Sequence, residues 1–309
     1  MNRTDGISLQ INISPSDYLL CRKLLQFQIN FFYNHIDEVV LTIESKKSKG
    51  KRFGNNFNNY QDKLNLFLES LRNQFPKIRV VPVDYSPDAK KKVAKLFFSN
   101  TKFLPDKDFR GGPFYCYFFG LYSCAFQKIL HLDCDMILGG DAKHWLTGAI
   151  KLLNDPSVAF VLPLSGPPTS EFNICQSYTK RLNRYTYVFD RFTTRVFLTD
   201  ITKFTNHKLF LKLIKPNIKR IGRALLQQNF WEMPEVLITE NIRRTKTYRV
   251  DYWGENDQQG CYSLHPVYKP ASFIEFVPKL LEQVQNNKLP NVQKGNYDLI
   301  YEAFMTHTN

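Results

Sequence analysis

Six cysteines are present in the 309-residue chain, Cys21, Cys116, Cys124, Cys134, Cys175 and Cys261, but there is no CxxC pair. Scattered thiols, several inside apolar runs, do not make a disulfide framework. They read as free, buried thiols of a reducing compartment. No apolar stretch is long enough to span a bilayer, and Met1-Asn-Arg-Thr-Asp-Gly6 carries no apolar core of a secretion signal. A Walker loop, a Gly-x-Ser-x-Gly elbow and a His-Glu-x-x-His motif are all missing, which excludes the chemistries those motifs carry. Neither an internal repeat nor a low-complexity linker marks a domain boundary. Zinc-finger spacing, an Arg-rich helix and an RNA-binding aromatic signature are absent too. Nucleic acid is therefore not expected as a partner, although the formal net charge is +14. The expectation is a cytoplasmic protein whose charge suits phosphorylated substrates or the anionic inner face of a membrane, where it would sit peripherally.

With 43% hydrophobic residues the chain can build a large core. Its first half alternates strand and helix patterns. Ile7–Ile13, Glu38–Glu44 and Ile78–Val83 read as strands; Tyr18–His35, Tyr60–Phe75, Asp88–Phe98 and Pro113–Phe126 read as helices, with Ser16 or Asp17 capping the first. This order predicts an α/β fold with a mainly parallel sheet flanked by helices. The second half is less regular: helix at Lys143–Leu153, strands at Val158–Pro163 and Arg195–Asp200, and helices at Phe204–Lys215 and Ile218–Phe230. We expect one domain over residues 1–275, with halves 1–140 and 141–275, and a helical tail over 276–309.

The chain is organised around Lys128-Ile-Leu-His-Leu-Asp-Cys-Asp-Met-Ile-Leu-Gly-Gly140. Read as a buried strand bounded by a Gly139-Gly140 turn, it sets Ile129, His131, Asp133 and Asp135 on one face. Open α/β sheets bind ligands outside the carboxyl ends of their strands. Two acids there repel each other unless something positive sits on them. The stretch is either a solvated turn or a site for a divalent cation carrying phosphate oxygens.

Gly260-Cys-Tyr-Ser-Leu-His-Pro-Val-Tyr-Lys-Pro270 sets His265 and Lys269 four residues apart between prolines. Two carboxylates and one imidazole make a sound ligand set for Mn²⁺ or Mg²⁺, and Lys269 adds a point charge for a diphosphate. His131 reads as a core histidine.

An apolar run, Asp-x-Asp, then a late His followed by Lys-Pro resembles glycosyltransferases of the GT-A fold. The likeness extends to uncharacterised bacterial members and to families 2 and 8. The late loop is shorter than the His-x-x-Gly-x-x-Lys-Pro of family 8 and lacks its glycine. Glu44-Ser45 stands where family 2 has Asp-Asp-Gly-Ser. The resemblance implies a metal-dependent hexosyltransferase that moves a sugar from a nucleotide-diphosphate sugar, UDP- or GDP-linked, to a saccharide or lipid-linked saccharide. It implies a donor site with Glu44, Arg110, Asp133 and Lys269, and a metal held by Asp133, Asp135 and His265. In Trp231-Glu-Met-Pro-Glu235 it implies the acceptor's base, Glu232 first and Glu235 in competition, with Trp231 as a sugar platform and inversion at the transferred carbon. Asp133-Cys-Asp135 also resembles the first motif of haloacid-dehalogenase-type phosphatases, but no acid pair follows downstream. A nucleotidyltransferase and a non-catalytic nucleotide-sugar-binding protein are the other readings.

Overall fold

The computed structural model describes residues 3–48, 56–98, 103–205, 211–214, 222, 231–267, 269–270 and 272–306. The first half runs β1 (Thr4–Ile13), α1 (Tyr18–Phe32), β2 (Glu38–Ile43), α2 (Phe57–Gln74), β3 (Ile78–Pro82), α3 (Pro87–Phe97), α4 (Tyr115–Ser123) and β4 (Phe126–Asp133). It continues with β5 (Ile137–Gly140), α5 (Ala142–Leu153), β6 (Val158–Ser165), β7 (Lys180–Asn183), β8 (Thr186–Phe189), β9 (Val196–Asp200), α6 (Thr202–Thr205) and α7 (Pro234–Thr245). The last elements are β10 (Tyr248–Tyr252), β11 (Cys261–Leu264), α8 (Phe273–Gln285) and α9 (Tyr301–Thr306).

The expected α/β class is observed. Strands lie in the order β3-β2-β1-β4-β9-β6-β10-β8-β7, with β11 beside both β6 and β5. The first four are parallel, as are β6 and β10. Alternating apolar residues drive this: Leu9, Ile11, Val39, Leu41, Leu130 and Leu132 share one buried cluster with Leu25, Ile29 and Phe32 of α1 and Leu64 and Leu68 of α2. A second cluster unites Phe118 of α4 with Phe160, Phe197 and the apolar face of α7. The β1–β4 register pairs Asn12 with Asp133, and the β1–β2 register pairs Ile13 with Ile43. Three parallel strands therefore end together at one edge of the sheet.

β9 lies antiparallel between β4 and β6. Its first end is thus brought to the carboxyl end of β4, where Asp133 N–H donates to Arg195 O at 2.7 Å.

Several expectations change. The strand expected to carry both acids stops at Asp133 and turns, with Met136 N–H bonding back to Asp133 O at 3.2 Å. Strand alternation therefore does not set Asp135 beside Asp133. The buried Gln28 amide of α1 fixes this turn by donating to Asp133 O at 3.1 Å and Met136 O at 2.7 Å. Gly139 and Gly140 belong to β5, paired antiparallel with β11, and do not form a terminating turn. Gly140 has φ +96°, and a Cβ there would run into the carbonyl of Gly260. The first helix is entered through a 3-10 turn over Pro15–Asp17 capped by Ser14, and Asp17 makes no capping bond. Residues 211–214 are not helical, because Leu211 bridges to Phe98 in an extended pairing. The helix expected over 218–230 lies outside the described residues, Gly222 apart.

The segment from 276 on, expected as a helical tail, packs into the domain. Phe273, Val277, Leu280, Val284 and Phe304 are buried with Leu164, Trp253 and Tyr262. Among the described residues no helix is long and apolar enough to cross a membrane.

Candidate active site

The carboxyl ends of β1, β2 and β4, the start of β9, the start of α7 and the loop after β11 enclose a pocket of about 450 Å³. Glu44, Arg110, Asp133, Asp135, Glu235, His265 and Lys269 all line it.

At the β2 end, Glu44 is buried and fully engaged. Its carboxylate lies 2.5 Å from Lys107 Nζ and accepts from Tyr85 Oη at 2.7 Å and from Lys46 N–H at 2.9 Å. Lys46 and Lys90 both hold Asp106 nearby. Buried Asp108 shapes the Arg110-Gly-Gly112 turn. It accepts the N–H groups of Arg110 at 2.8 Å and Gly112 at 2.9 Å and pairs with the Arg110 guanidinium at 3.0 Å. A Cβ on Gly112 would approach that carboxylate to 2.8 Å, so a larger residue there would have to shift Asp108.

At the β4 end the two acids meet different partners. Tyr117 Oη donates to both oxygens of Asp133, at 2.8 and 3.0 Å. Beneath it, fully buried His131 reaches Asp133 with Nε2 at 3.5 Å, bonds Gln10 Oε1 through Nδ1 at 2.5 Å and stacks on Phe197 at 4.8 Å. Burial raises the Asp133 carboxyl above the usual range, with His131 and Tyr117 opposing and Asp135 adding to the rise. Asp135 is held low: Lys269, at 2.6 Å, and then His265 outweigh its burial. His265 Nε2 lies 3.8 Å from Asp135, and its ring stacks on Tyr297 at 6.2 Å and 17°. Burial lowers its pKa to about 4, so at neutral pH it is an uncharged imidazole with a lone pair to offer.

Across the pocket, α7 begins at Pro234, which puts Glu235 in the first turn and Glu232 before the helix. Glu235 faces the pocket. Burial raises its pKa against the pull of Arg195, Arg249 and Arg110, and among the described residues no side chain pairs its carboxylate within ion-pair distance. Glu232 is not in the pocket wall and reaches back to Met233 N–H at 3.2 Å. Trp231 packs on Phe103 at 6.0 Å and gives its carbonyl to Phe109 N–H, so its ring is part of the loop packing.

Arg195 and Tyr117 are site residues the motifs do not reveal. Arg195 lies over the Tyr297 ring at 5.7 Å and feels both Asp135 and Glu235. Neither has a spacing signal, since each arrives from a different element.

The donor set fits a hard divalent cation in kind: two carboxylates and a neutral imidazole facing one pocket. Among the described residues no group of three His, Cys, Asp or Glu side chains is gathered closely enough to enclose an ion. Asp133 is tied to Tyr117, and Asp135 carries Lys269. A cation here would have Asp135 and His265 as protein ligands and would need oxygens from a substrate, the usual habit of Mg²⁺.

No protein-family profile and no curated protein matches this chain. Among solved structures it is similar to TarS of S. aureus in complex with UDP, at 11% identity over 93% of this chain and 67% of that one, with a TM-score of 0.44. It is also similar to the galactosyltransferase LgtC in complex with donor and acceptor sugar analogues, at 10% identity over 90% and 96% of the two chains, with a TM-score of 0.42. The mannosyltransferase PcManGT from Pyrobaculum calidifontis, in complex with GDP-Man and Mn²⁺, matches at 10% identity over 64% and 45%, with a TM-score of 0.35.

Proposed function

We propose that this chain is a glycosyltransferase that moves a sugar from a nucleoside-diphosphate donor to a hydroxyl of a saccharide or lipid-linked saccharide. One observation carries the reading: an acid pair with its own ammonium faces, across one pocket, a burial-raised carboxylate that has no ion-pair partner among the described residues. The first suits a diphosphate leaving group; the second suits a general base.

The nucleotide would lie over the ends of β1 and β2, with its diphosphate toward Asp135 and Lys269. Cleavage of the sugar–phosphate bond leaves negative charge on the diphosphate, and Lys269 and Arg195, the cations beside Asp135, stabilise it. Glu235 takes the proton from the acceptor hydroxyl as that oxygen attacks the sugar carbon from the opposite side, which inverts it. Mn²⁺ or Mg²⁺, when bound, adds Lewis-acid polarisation of the phosphoryl oxygens, with Asp135 and His265 holding it and Asp133 close by. Glu44 and Arg110 act on the donor side as part of the wall, Glu44 through Lys107 and Arg110 through its guanidinium. A phosphatase would need Asp133 as nucleophile, and here the Tyr117 hydroxyl caps it, its one proton shared between the two oxygens.

The test is incubation with UDP- and GDP-sugars and Mn²⁺ over an acceptor panel, following nucleoside diphosphate release. Release that disappears in Asp135→Asn supports glycosyl transfer. Inorganic phosphate or pyrophosphate as product sinks it.

A further inference from the structure

We propose that Lys269 is an exchangeable counter-cation. It holds the metal's place on Asp135 and gives it up when a nucleoside diphosphate arrives, so metal and nucleotide bind as one unit. The proposal rests on the donor-site reading above.

Asp135 sits in the pocket wall and needs a positive partner. Lys269 Nζ, at 2.6 Å, is the charge in direct contact with it, while His265 Nε2 stands off at 3.8 Å. The contact is made by a point charge on a flexible stem, not by a bidentate fork, so it can leave without breaking a fixed geometry. The same oxygen, Oδ2, faces both Lys269 and His265. An ion bound between His265 and that oxygen would displace the ammonium, and the two cations repel. Alone, the exchange leaves the ammonium beside the incoming ion, with the Asp17 carboxyl as another acid nearby. With a diphosphate present, the displaced ammonium has phosphate oxygens to move onto. Among the described residues no group of three acid, imidazole or thiol ligands is gathered there, so phosphate oxygens would add the charged ligands that Asp135 and His265 do not supply. Both observations make the nucleotide a condition of tight metal binding, and linkage makes the effect reciprocal.

The experiment measures free Mn²⁺ by electron paramagnetic resonance during titration of the full chain. It is done alone, with UDP and with GDP, for the native chain and for Lys269→Met and Lys269→Gln. Thermal melts establish that each variant is folded. In the native chain, Mn²⁺ should bind about tenfold or more tightly with one of the nucleotides than without. In both variants Mn²⁺ alone should bind about tenfold more tightly than in the native chain, and the gain from nucleotide should shrink by the same factor. Equal Mn²⁺ affinity of native and variant chains without nucleotide overturns the exchange, as does an unchanged nucleotide gain in the variants. If neither UDP nor GDP binds at any Mn²⁺ concentration, the donor-site reading fails, and the comparison of Mn²⁺ alone still decides the role of Lys269.

Discussion

Glu232 and Glu235 lie one turn apart in sequence and meet opposite surroundings. Glu235 is held in the pocket without a pairing partner among the described residues; Glu232 bonds its own neighbour outside the pocket wall. Glu235→Gln should lower kcat about 10²- to 10⁴-fold with little change in nucleotide affinity, and Glu232→Gln should stay within a few-fold of native. Because burial raises the Glu235 pKa, the acid limb of kcat/KM should fall above the ordinary glutamate value, with activity lost as pH drops and the carboxylate takes its proton. A pH–rate profile checks both statements. His265 supplies a stability test. Its pKa is about 4 when folded against about 6.5 when unfolded, so below pH 6.5 the unfolded chain takes up a proton that the native chain refuses. Stability should therefore fall with pH, by about 2 kcal/mol from this group at pH 5, and metal-free melts of His265→Asn should lack that part of the slope. At this scale the sequence was legible where chemistry sits in one run, as in Asp133-Cys-Asp135 and His265 to Lys269. It was silent on Arg195 and Tyr117, which reach the acids only through folding. Which of Glu232 and Glu235 lines the pocket depends on where the helix begins, and that is at Pro234.

β10 lies between β6 and β8, and its Arg249 and Asp251 form a fully buried pair at 2.6 Å that also engages Ser165 at the end of β6. Arg249→Met should cost about 3–5 kcal/mol, because it leaves the Asp251 charge buried and alone, and adding Asp251→Leu should recover much of the loss. Urea unfolding of the two variants measures this. The strands of the first half were readable from alternating apolar residues over five or more positions. β7, β8 and β11 were not, since four residues do not separate a period of 2 from one of 3.6. The break after Asp133 escaped notice for another reason: the apolar character continues through Met136-Ile-Leu138, while the Gln28 amide that bends the chain belongs to α1.

For the whole molecule, α8 and α9 close the core. Removing residues 273–306 would uncover Leu164, Tyr262 and Trp253, so the shortened chain should lose cooperative thermal unfolding and precipitate; circular dichroism melts and solubility report this. Their amphipathic patterns could be read as helices from sequence, but which surface they cover could not, because that surface is assembled from strands far upstream.

The antiparallel β9 has a consequence for the order in which the molecule is made. β1 waits for β4, and β4 keeps an open edge until residues 196–200 arrive. Asp133 takes its backbone anchor from Arg195, and Asp135 takes its ammonium from Lys269. A chain growing from its first residue thus carries Asp135 without its ammonium through much of its synthesis, and the pocket exists only when the late segments have docked. In refolding, nucleotide capture should therefore lag the return of secondary structure. That makes it a timer for the last step of assembly.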